Sequence, residues 1–347
     1  MIRTGMFVIG IVAMFFLGGA PSQISIADSE YDPFQPVQII TSAHGPDQNG
    51  PVIPGYAEPL PEGPGLSVNY INDIGIVDDP SVLFADDFEQ SMLDEHWDHT
   101  WANRGESRII HDKIGVHSGG SAYMARIHRP ADGPSSVGAR KFLLPGHDTL
   151  FFRYYAKYSS NSELYHGGTH NAASIAARRP DEIYESYAGV YAKGDNLYSI
   201  ILDTWRPDST VASPGEMAFY CYHMHQGHQW GDHFFPSGRV LPGGRELFGP
   251  KFVPRDDFTP ERGRWYCYEL MIIANTPGER NGRAAFWVDG ILTGDFPNLE
   301  FRNTAELKPN RIAFQLYTHN EQITGDVTMW FDDAVAATSY IGPRTER

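Results

Sequence analysis

The sequence is poor in cysteine and in basic residues, and each shortage excludes a class of protein. Only two cysteines, Cys221 and Cys267, occur in 347 residues, which excludes a disulfide-rich scaffold and a cysteine-based zinc cluster. Lysine and arginine number 27 against 43 acidic residues, a formal charge of −16, and they form no basic run. Because nucleic-acid binding depends on cations that neutralise phosphate, we expect no nucleic acid among the partners.

No apolar run reaches the ~20 residues that a membrane-spanning helix requires. The apolar run MFVIGIVAMFFLGG follows Arg3 and precedes the small-x-small triplet SIA. This order is typical of a secretory signal peptide, here residues 1–27, and an uncleaved anchor is the alternative. The sequence therefore predicts an exported protein, secreted or periplasmic, with no membrane span once the signal is cleaved.

The rest of the chain changes character near residue 81. Residues 28–80 are rich in Pro, Gly, Asp and Asn and predict a loosely structured N-terminal extension. From 81 to 343, short aromatic and β-branched runs alternate with turn residues, among them TLFFRYYAKY, YAGVYAKG, LYSIILDTW, MAFYCYHMH, RWYCYELMIIAN and RIAFQLYT. Helical periodicity is scarce. We therefore predict an all-β domain over 81–343, a jelly-roll sandwich of two antiparallel sheets.

Alternation along the predicted strands gathers polar and aromatic side chains on shared faces. The residues that share a face are Arg153, Tyr155 and Lys157 in one run, and Gln315, Tyr317 and His319 in another. Rings can lie against pyranose faces, and forked donors can hold hydroxyls and carboxylates, so such a face suits a sugar-binding groove. A solvated outer sheet face is the alternative.

Histidine is the second functional signal. His170 lies in YHGGTHNAAS, and His223, His225 and His228 lie in YHMHQGHQWGDHFF. Imidazoles titrate near neutral pH, so a cluster at strand ends suits proton transfer. Zinc bound by His223 and His225 with His228 or His170 is the rival interpretation, although no HExxH motif is present.

The two cysteines leave two interpretations open. Each lies in a strand-like run, so they either form one bridge between neighbouring strands or are two buried free thiols. If they met, His223, His225 and Glu269 would share one sheet face.

Acidic residues near the first and last predicted strands suggest a structural calcium ion. Asp87 and Glu89 lie near the first predicted strand, in VLFADDFE, and Asp333 lies near the last. If the two ends of the sandwich pair, these oxygen ligands would be neighbours, as calcium requires. Acidic strand ends that face solvent are the alternative.

Several runs together resemble a known group of folds. The opening VLFADDFE, the middle TLFFRYYAKYSSNSELYHGGTHN and the closing RWYCYELMIIANTPGERNGRAAFWVDGILTGDF resemble the concanavalin A-like jelly rolls of the polysaccharide lyase superfamily. The resemblance covers residues 82–343. It implies β-elimination on an anionic, uronic acid-containing polysaccharide, with no required cofactor.

The resemblance also implies roles for side chains. In this family an Arg or amide neutralises the uronate carboxylate, a His or Tyr removes the C5 proton, and a Tyr protonates the leaving oxygen. The catalytic residues that we predict on this basis are Arg153, His170, His223, His225 and Tyr317. The substrate-binding residues that we predict are Tyr155, Asn171, Tyr222, Trp230, Gln315 and His319.

Two other function classes remain open at this stage. A glycoside hydrolase of the same fold needs two carboxylates, for which Glu269 and Asp203 are the strand acids available. A non-catalytic carbohydrate-binding protein would use the same aromatic face without turnover. The GxSxG, GxGxxG and P-loop templates are absent from the sequence.

Overall fold

The structure, a computed structural model, describes residues 59–129, 133–164, 170–186, 188–242, 247–318 and 325–346. The chain divides into two units, 1–33 and 34–347. The first unit lies outside the described residues, and so does the predicted signal peptide. The described residues all belong to the second unit.

Eight strands form a sheet that we call the back sheet. They are β1 (Val82–Asp86), β3 (Gly105–Ile110), β4 (Ala122–Ile127), β6 (Thr149–Tyr158), β12 (Tyr266–Ile273), β13 (Gly282–Val288), β14 (Ile291–Leu299) and β16 (Val327–Ala337). Their order is β14-β13-β12-β6-β16-β4-β3, with β1 also paired to β16. The described ladders are all antiparallel.

Eight further strands form the front sheet. They are β2 (His99–Asn103), β5 (Ser135–Phe142), β7 (His170–Arg178), β8 (Leu197–Trp205), β9 (Glu216–Tyr222), β10 (Asp232–Phe234), β11 (Val240–Leu241) and β15 (Pro309–Thr318). Their order is β11-β10-β9-β8-β7-β15-β5-β2, again antiparallel. The predicted two-sheet, all-β sandwich is confirmed.

Helix is confined to single turns in the described part of the chain. The 3-10 turns are Leu66–Asn69, Ile71–Asp73, Ile76–Asp78, Leu93–Glu95 and Pro180–Glu182. None of the described residues forms a helix long and apolar enough to span a membrane.

The core lies between the two sheets, because every second residue of the central strands is apolar. Phe152 and Tyr154 of β6 point inward from the back sheet, and Phe314 of β15 points inward from the front sheet. The Phe314 ring centroid lies 5.3 Å from each of the other two rings. All three side chains are fully buried, so this contact holds the sheets together.

The outer face of the back sheet is also covered. Residues 59–81 lie across it together with the C-terminal tail: the Trp287 indole N–H donates to the Pro61 carbonyl at 2.7 Å, and the Ser67 N–H donates to the Ile341 carbonyl at 3.0 Å. Ile76 and Tyr340 are buried in the same outer cluster. The prediction of a loose extension is therefore wrong for residues 59–80, because their apolar side chains complete a second, smaller core.

The two cysteines are free and buried on different faces of the two sheets. Cys221 points into the main core from β9. Cys267 of β12 pairs in register with Tyr155 on the outer face of the back sheet. The alternative of two free thiols is confirmed.

One predicted strand is absent. Described residues 188–194 of the run YAGVYAKG form a loop. The run alternates like a strand, but Ala192 packs on the outer face of the front sheet against Tyr220 and Tyr222. The loop therefore covers part of a sheet instead of extending it.

Candidate active site

Small side chains form the floor of a groove on the outer face of the front sheet. Gly138 of β5 pairs with Gln315 of β15, which pairs with Ala172 of β7. Ser174 and Ala313 continue the same face one step along. Ala172, Ser174 and Ala313 are buried, so they lie low between taller, partly exposed neighbours such as Gln315 and Tyr317.

His170 stands at the edge of this floor and is held by Asp203. The His170 Nδ1 lies 2.6 Å from Asp203 Oδ2, and the Asn171 N–H donates to Asp203 Oδ1 at 3.0 Å. An ionised carboxylate only accepts, so Nδ1 carries the proton and Nε2 of the neutral ring is the proton acceptor. The Asp203 side chain is 1% exposed and that of His170 is 24% exposed. His170 is therefore a ring with a fixed tautomer and an accessible edge.

Two aromatic rings flank His170. Tyr220 stacks on it with centroids 4.8 Å apart, and the Tyr317 centroid lies 5.6 Å away on the other side. Burial raises the pKa of the Tyr317 hydroxyl above its ordinary value, so this phenol stays protonated at neutral pH. A proton acceptor and a proton donor thus lie side by side on paired strands.

His233 is the second imidazole of this face, and it stays neutral. Its ring lies 4.7 Å from Tyr220 and 4.5 Å from Trp205, measured between centroids. Burial, with smaller contributions from His170, His228 and Arg239, lowers its pKa to about 3. Tyr220 is consequently sandwiched between two imidazoles.

Gln315 offers an unused donor beside these groups. Its Nε2 atom is buried and has no hydrogen-bond partner within the described structure. An unpaired buried amide is costly, and a bound hydroxyl or carboxylate would satisfy it. Gln315 and Tyr317 share the outer face of β15, as the sequence predicted.

Farther across the floor, Trp101 and Arg140 form an aromatic and cationic surface. The Trp101 ring lies across Gly138, where a Cβ would approach its Cζ2 to 2.3 Å, and its N–H donates to Ser136 Oγ at 2.7 Å. The Arg140 guanidinium lies 5.2 Å from the Trp101 centroid. His99 stacks on the same indole at 5.7 Å. A flat ring beside a guanidinium suits an acidic sugar.

Arg153 and Tyr155, which the resemblance placed with His170, lie instead on the outer face of the back sheet. The Arg153 side chain is fully buried, donating to Asp73 Oδ2 at 2.5 Å and to the Asp333 carbonyl at 3.0 Å. Tyr155 stacks on His117 at 3.9 Å. These side chains share a face, as predicted, but the two sheets separate that face from the groove.

The histidine hairpin that follows β9 is largely structural. His223 is fully buried; its Nε2 lies 3.0 Å from Asp232 Oδ2, and its Nδ1 accepts the His225 N–H at 3.3 Å. His225 lies off the sheet with Nε2 2.7 Å from Glu300. Both nitrogens of His223 are thus occupied within the protein, and neither residue joins His170. This arrangement does not favour the rival zinc interpretation.

The remaining predicted binding residues are also dispersed. Asn171 is fully buried and points inward, where its Oδ1 accepts the Tyr158 hydroxyl at 2.7 Å. Tyr222 is on the outer face but is 1% exposed, beneath the loop whose Gly189 N–H donates to its hydroxyl at 3.4 Å. Trp230 is exposed on a hairpin beside that loop. His319 lies outside the described residues.

The predicted calcium ligands do not assemble as one group. Glu89 accepts the Gly120 and Ser121 N–H groups, and Asp87 Oδ1 accepts the N–H of Glu89. Asp333 lies elsewhere, with Oδ2 2.9 Å from His117 Nδ1. Glu89 therefore already accepts two backbone N–H groups.

A different trio of described residues has ligand atoms within 4.8 Å of one another: His117, Asp332 and Asp333. Asp332 Oδ2 accepts the N–H groups of His117 and Ser118, and the Ser118 hydroxyl donates to Asp333 Oδ1. Burial and the neighbouring Asp333 raise the pKa of Asp332, whereas His117 helps to lower the pKa of Asp333. Asp332 is therefore the carboxyl group of this pair that binds a proton more readily.

Comparisons with known proteins bear on the fold. No family model matches the chain, and no curated protein matches it. An endo-β-1,4-glucuronan lyase from the fungus Trichoderma reesei superposes with a TM-score of 0.50 at 16% identity, over 74% of this chain and 95% of that one. The alginate lyase Aly36B gives 0.48 at 15% identity, over 83% and 100%. The alginate lyase vAL-1 from Chlorella virus gives 0.48 at 11% identity, over 74% and 99%.

These structural neighbours are polysaccharide lyases, and the likeness establishes the two-sheet sandwich fold that the resemblance implied. At such identities it assigns no residue a role.

Sequence reasoning named Asp203 only as a hydrolase acid and missed Tyr220, Trp101 and Arg140 as groove residues. Tyr220 was available from alternation, since it shares a face with Tyr222. Trp101 and Arg140 lie on β2 and β5, and the contact of Asp203 with His170 requires the pairing of β7 with β8. The local sequence pattern reveals neither these strands nor that pairing.

Proposed function

We propose that this protein is an exported polysaccharide lyase that cleaves a uronic acid-containing glycan by β-elimination. The observation that carries the proposal is the Asp203–His170–Tyr317 arrangement beside the unpaired Gln315 amide. It supplies a base, an acid and a carboxylate donor within one accessible face. The lyase neighbours of the fold are consistent with this chemistry.

His170 acts as the base. Its Nε2 removes the C5 proton of the uronate, the electron pair forms the C4–C5 double bond, and the C4–O4 bond breaks. Asp203 is a positioning residue, because it fixes the tautomer and stabilises the imidazolium that forms.

Tyr317 acts as the acid. Its raised pKa keeps the proton available, and the phenol protonates O4 as that oxygen leaves. His170 and Tyr317 pair across β7 and β15, so the two groups face adjacent atoms of one sugar.

Gln315 and Arg140 stabilise the carboxylate on which negative charge develops. The Gln315 Nε2 is an available donor, and Arg140 is half-buried beside Trp101. Donors aimed at developing charge account for much of enzymatic rate acceleration. These two residues replace Arg153 in that role.

The test measures 4,5-unsaturated uronides by their ultraviolet absorbance, using alginate, glucuronan, ulvan and glycosaminoglycans as substrates. His170→Ala and Tyr317→Phe should each lower the rate by about 10²–10⁴-fold. His128→Ala is the matched control, because that imidazole is half-exposed on the back sheet. Absence of unsaturated products from every substrate would reject the proposal.

Two outcomes identify the other function classes. Reducing ends without unsaturation would indicate a hydrolase, but Glu269 is buried on the back sheet and Asp203 faces the groove, so they cannot act as a pair. Saturable glycan binding without products would indicate a non-catalytic binding protein.

A further inference from the structure

The outer face of the front sheet is open on one side of His170 and closed on the other. On the β15, β5 and β2 side, Gln315, Tyr317, Trp101 and Arg140 are partly exposed and His99 is exposed. On the β8 to β11 side, Tyr220, Tyr222, Trp205 and His233 are all buried. The boundary runs beside His170 and Asp203.

Two small apolar clusters close the second side. One joins Ala192, Leu197 and Ile201 to the rings of Tyr220 and Tyr222. The hairpin after β9 adds to it, because the Gly231 N–H donates to the Tyr220 hydroxyl at 3.0 Å.

The other cluster consists of Trp205, Ala218, Phe235 and Leu241. The Arg239 guanidinium lies 3.7 Å from the centroid of the Phe235 ring and covers it. The outer face of β8 to β11 is thus a packed surface rather than a groove floor.

The floor is also bounded along the strands. Arg311 of β15 is 2% exposed and donates to the carbonyls of Ile183 and Glu185 at 2.9 and 3.2 Å. This holds the loop after β7 across one end of the floor. A glycan therefore has room to lie across the strands, from β2 toward β7.

From this asymmetry we infer that the cleft accepts the terminus of an anionic glycan chain and that cleavage occurs near that terminus. The inference rests on the proposed function for the chemistry, but its geometry is independent. Three strand spacings of ~4.8 Å give about 14 Å of floor from β2 to β7. Beyond His170 the stacked ring of Tyr220 closes the path across the strands, so within the described part of the chain a continuous polymer has no way to continue in that direction.

The experiment has two arms. In the first, the wild-type protein digests glucuronan and alginate, and product sizes are followed from the earliest times. Terminal action releases one short product size from the start, with viscosity falling in proportion to product. An early ladder of all sizes would overturn the inference while leaving the lyase proposal intact.

In the second arm, the His170→Ala variant is titrated calorimetrically with oligoglucuronates and oligoalginates of increasing length. A terminal cleft binds one protein per chain whatever the length, whereas an open groove binds more proteins as the chain grows. One protein per chain without any product from the wild type would sustain terminal binding but reject both the lyase and the inferred cleavage near the terminus. Stoichiometry that rises with length, or no binding by any oligomer, would overturn it.

Two tryptophan variants compare the two sides of the cleft. Trp101→Ala, on the open side, should weaken binding of longer oligomers by about 5- to 10-fold, as expected for loss of about 1 kcal/mol of ring contact. Trp230→Ala, on the hairpin of the closed side, should leave the affinity for the same oligomers within about twofold of the wild type. Equal losses in the two variants would contradict a one-sided floor.

Discussion

Replacing Arg153 by methionine should lower the stability of the fold. The guanidinium of Arg153 should not be needed for catalysis. The guanidinium is fully buried and donates to Asp73 and to the Asp333 carbonyl. Removing one partner of a buried pair leaves the other charge uncompensated, at a cost of about 3–5 kcal/mol. For a domain of this size that cost corresponds to a fall in melting temperature on the order of 10 °C.

The assay is thermal unfolding followed by circular dichroism, with activity measured well below the transition. Arg140→Met is the matched control, because that guanidinium is half-buried in the groove. It should melt within a few degrees of the wild type and lose activity. The double variant Arg153→Met/Asp73→Asn should be less destabilised than the sum of the single variants, since the orphaned carboxylate is gone. If Arg153→Met had the melting temperature of the wild type and yet lost activity, this reasoning would be refuted.

Three further predictions concern single groups. Gly138→Ala should weaken glycan binding about 10-fold and lower the melting temperature, because the added methyl would lie 2.3 Å from the Trp101 ring and 2.4 Å from the Phe314 carbonyl oxygen of the paired strand; unchanged binding and melting would contradict the packing. Burial raises the pKa of Glu269 from 4.5 to about 7. The contribution of Glu269 to stability should therefore be fully present below pH 4.5 and decline as the pH rises to about 7. Glu269→Gln should flatten the pH dependence of the melting temperature in that window, and an unaltered slope would count against this prediction. The alkaline limb of the pH–rate profile should lie above pH 10, because burial raises the pKa of Tyr317; an inflection near pH 8 would exclude Tyr317 as the acid.

Alternation allowed much of the fold and part of the site to be predicted. The pattern of β15 correctly placed Gln315 and Tyr317 on one face, because side chains in a strand must alternate. The pattern of β6 likewise grouped Arg153 with Tyr155. What alternation cannot supply is the sheet to which a face belongs, so the two groups were wrongly combined.

The strand that carries His170 was missed for a different reason. The segment HNAASIAAR of β7 is rich in alanine, which has low β propensity. The same small side chains form the groove floor. The alanine content that made the strand hard to predict is therefore also what shapes the site.

The sequence by itself determined the all-β class and the resemblance to lyase jelly rolls, because those depend on composition and on local period. The tertiary structure alone decided that Asp203 holds His170, that Arg140 and not Arg153 faces the groove, and that half of the front sheet is closed. These facts depend on the pairing of strands distant in the chain and on loops that fold over them, and no local pattern of residues encodes that pairing.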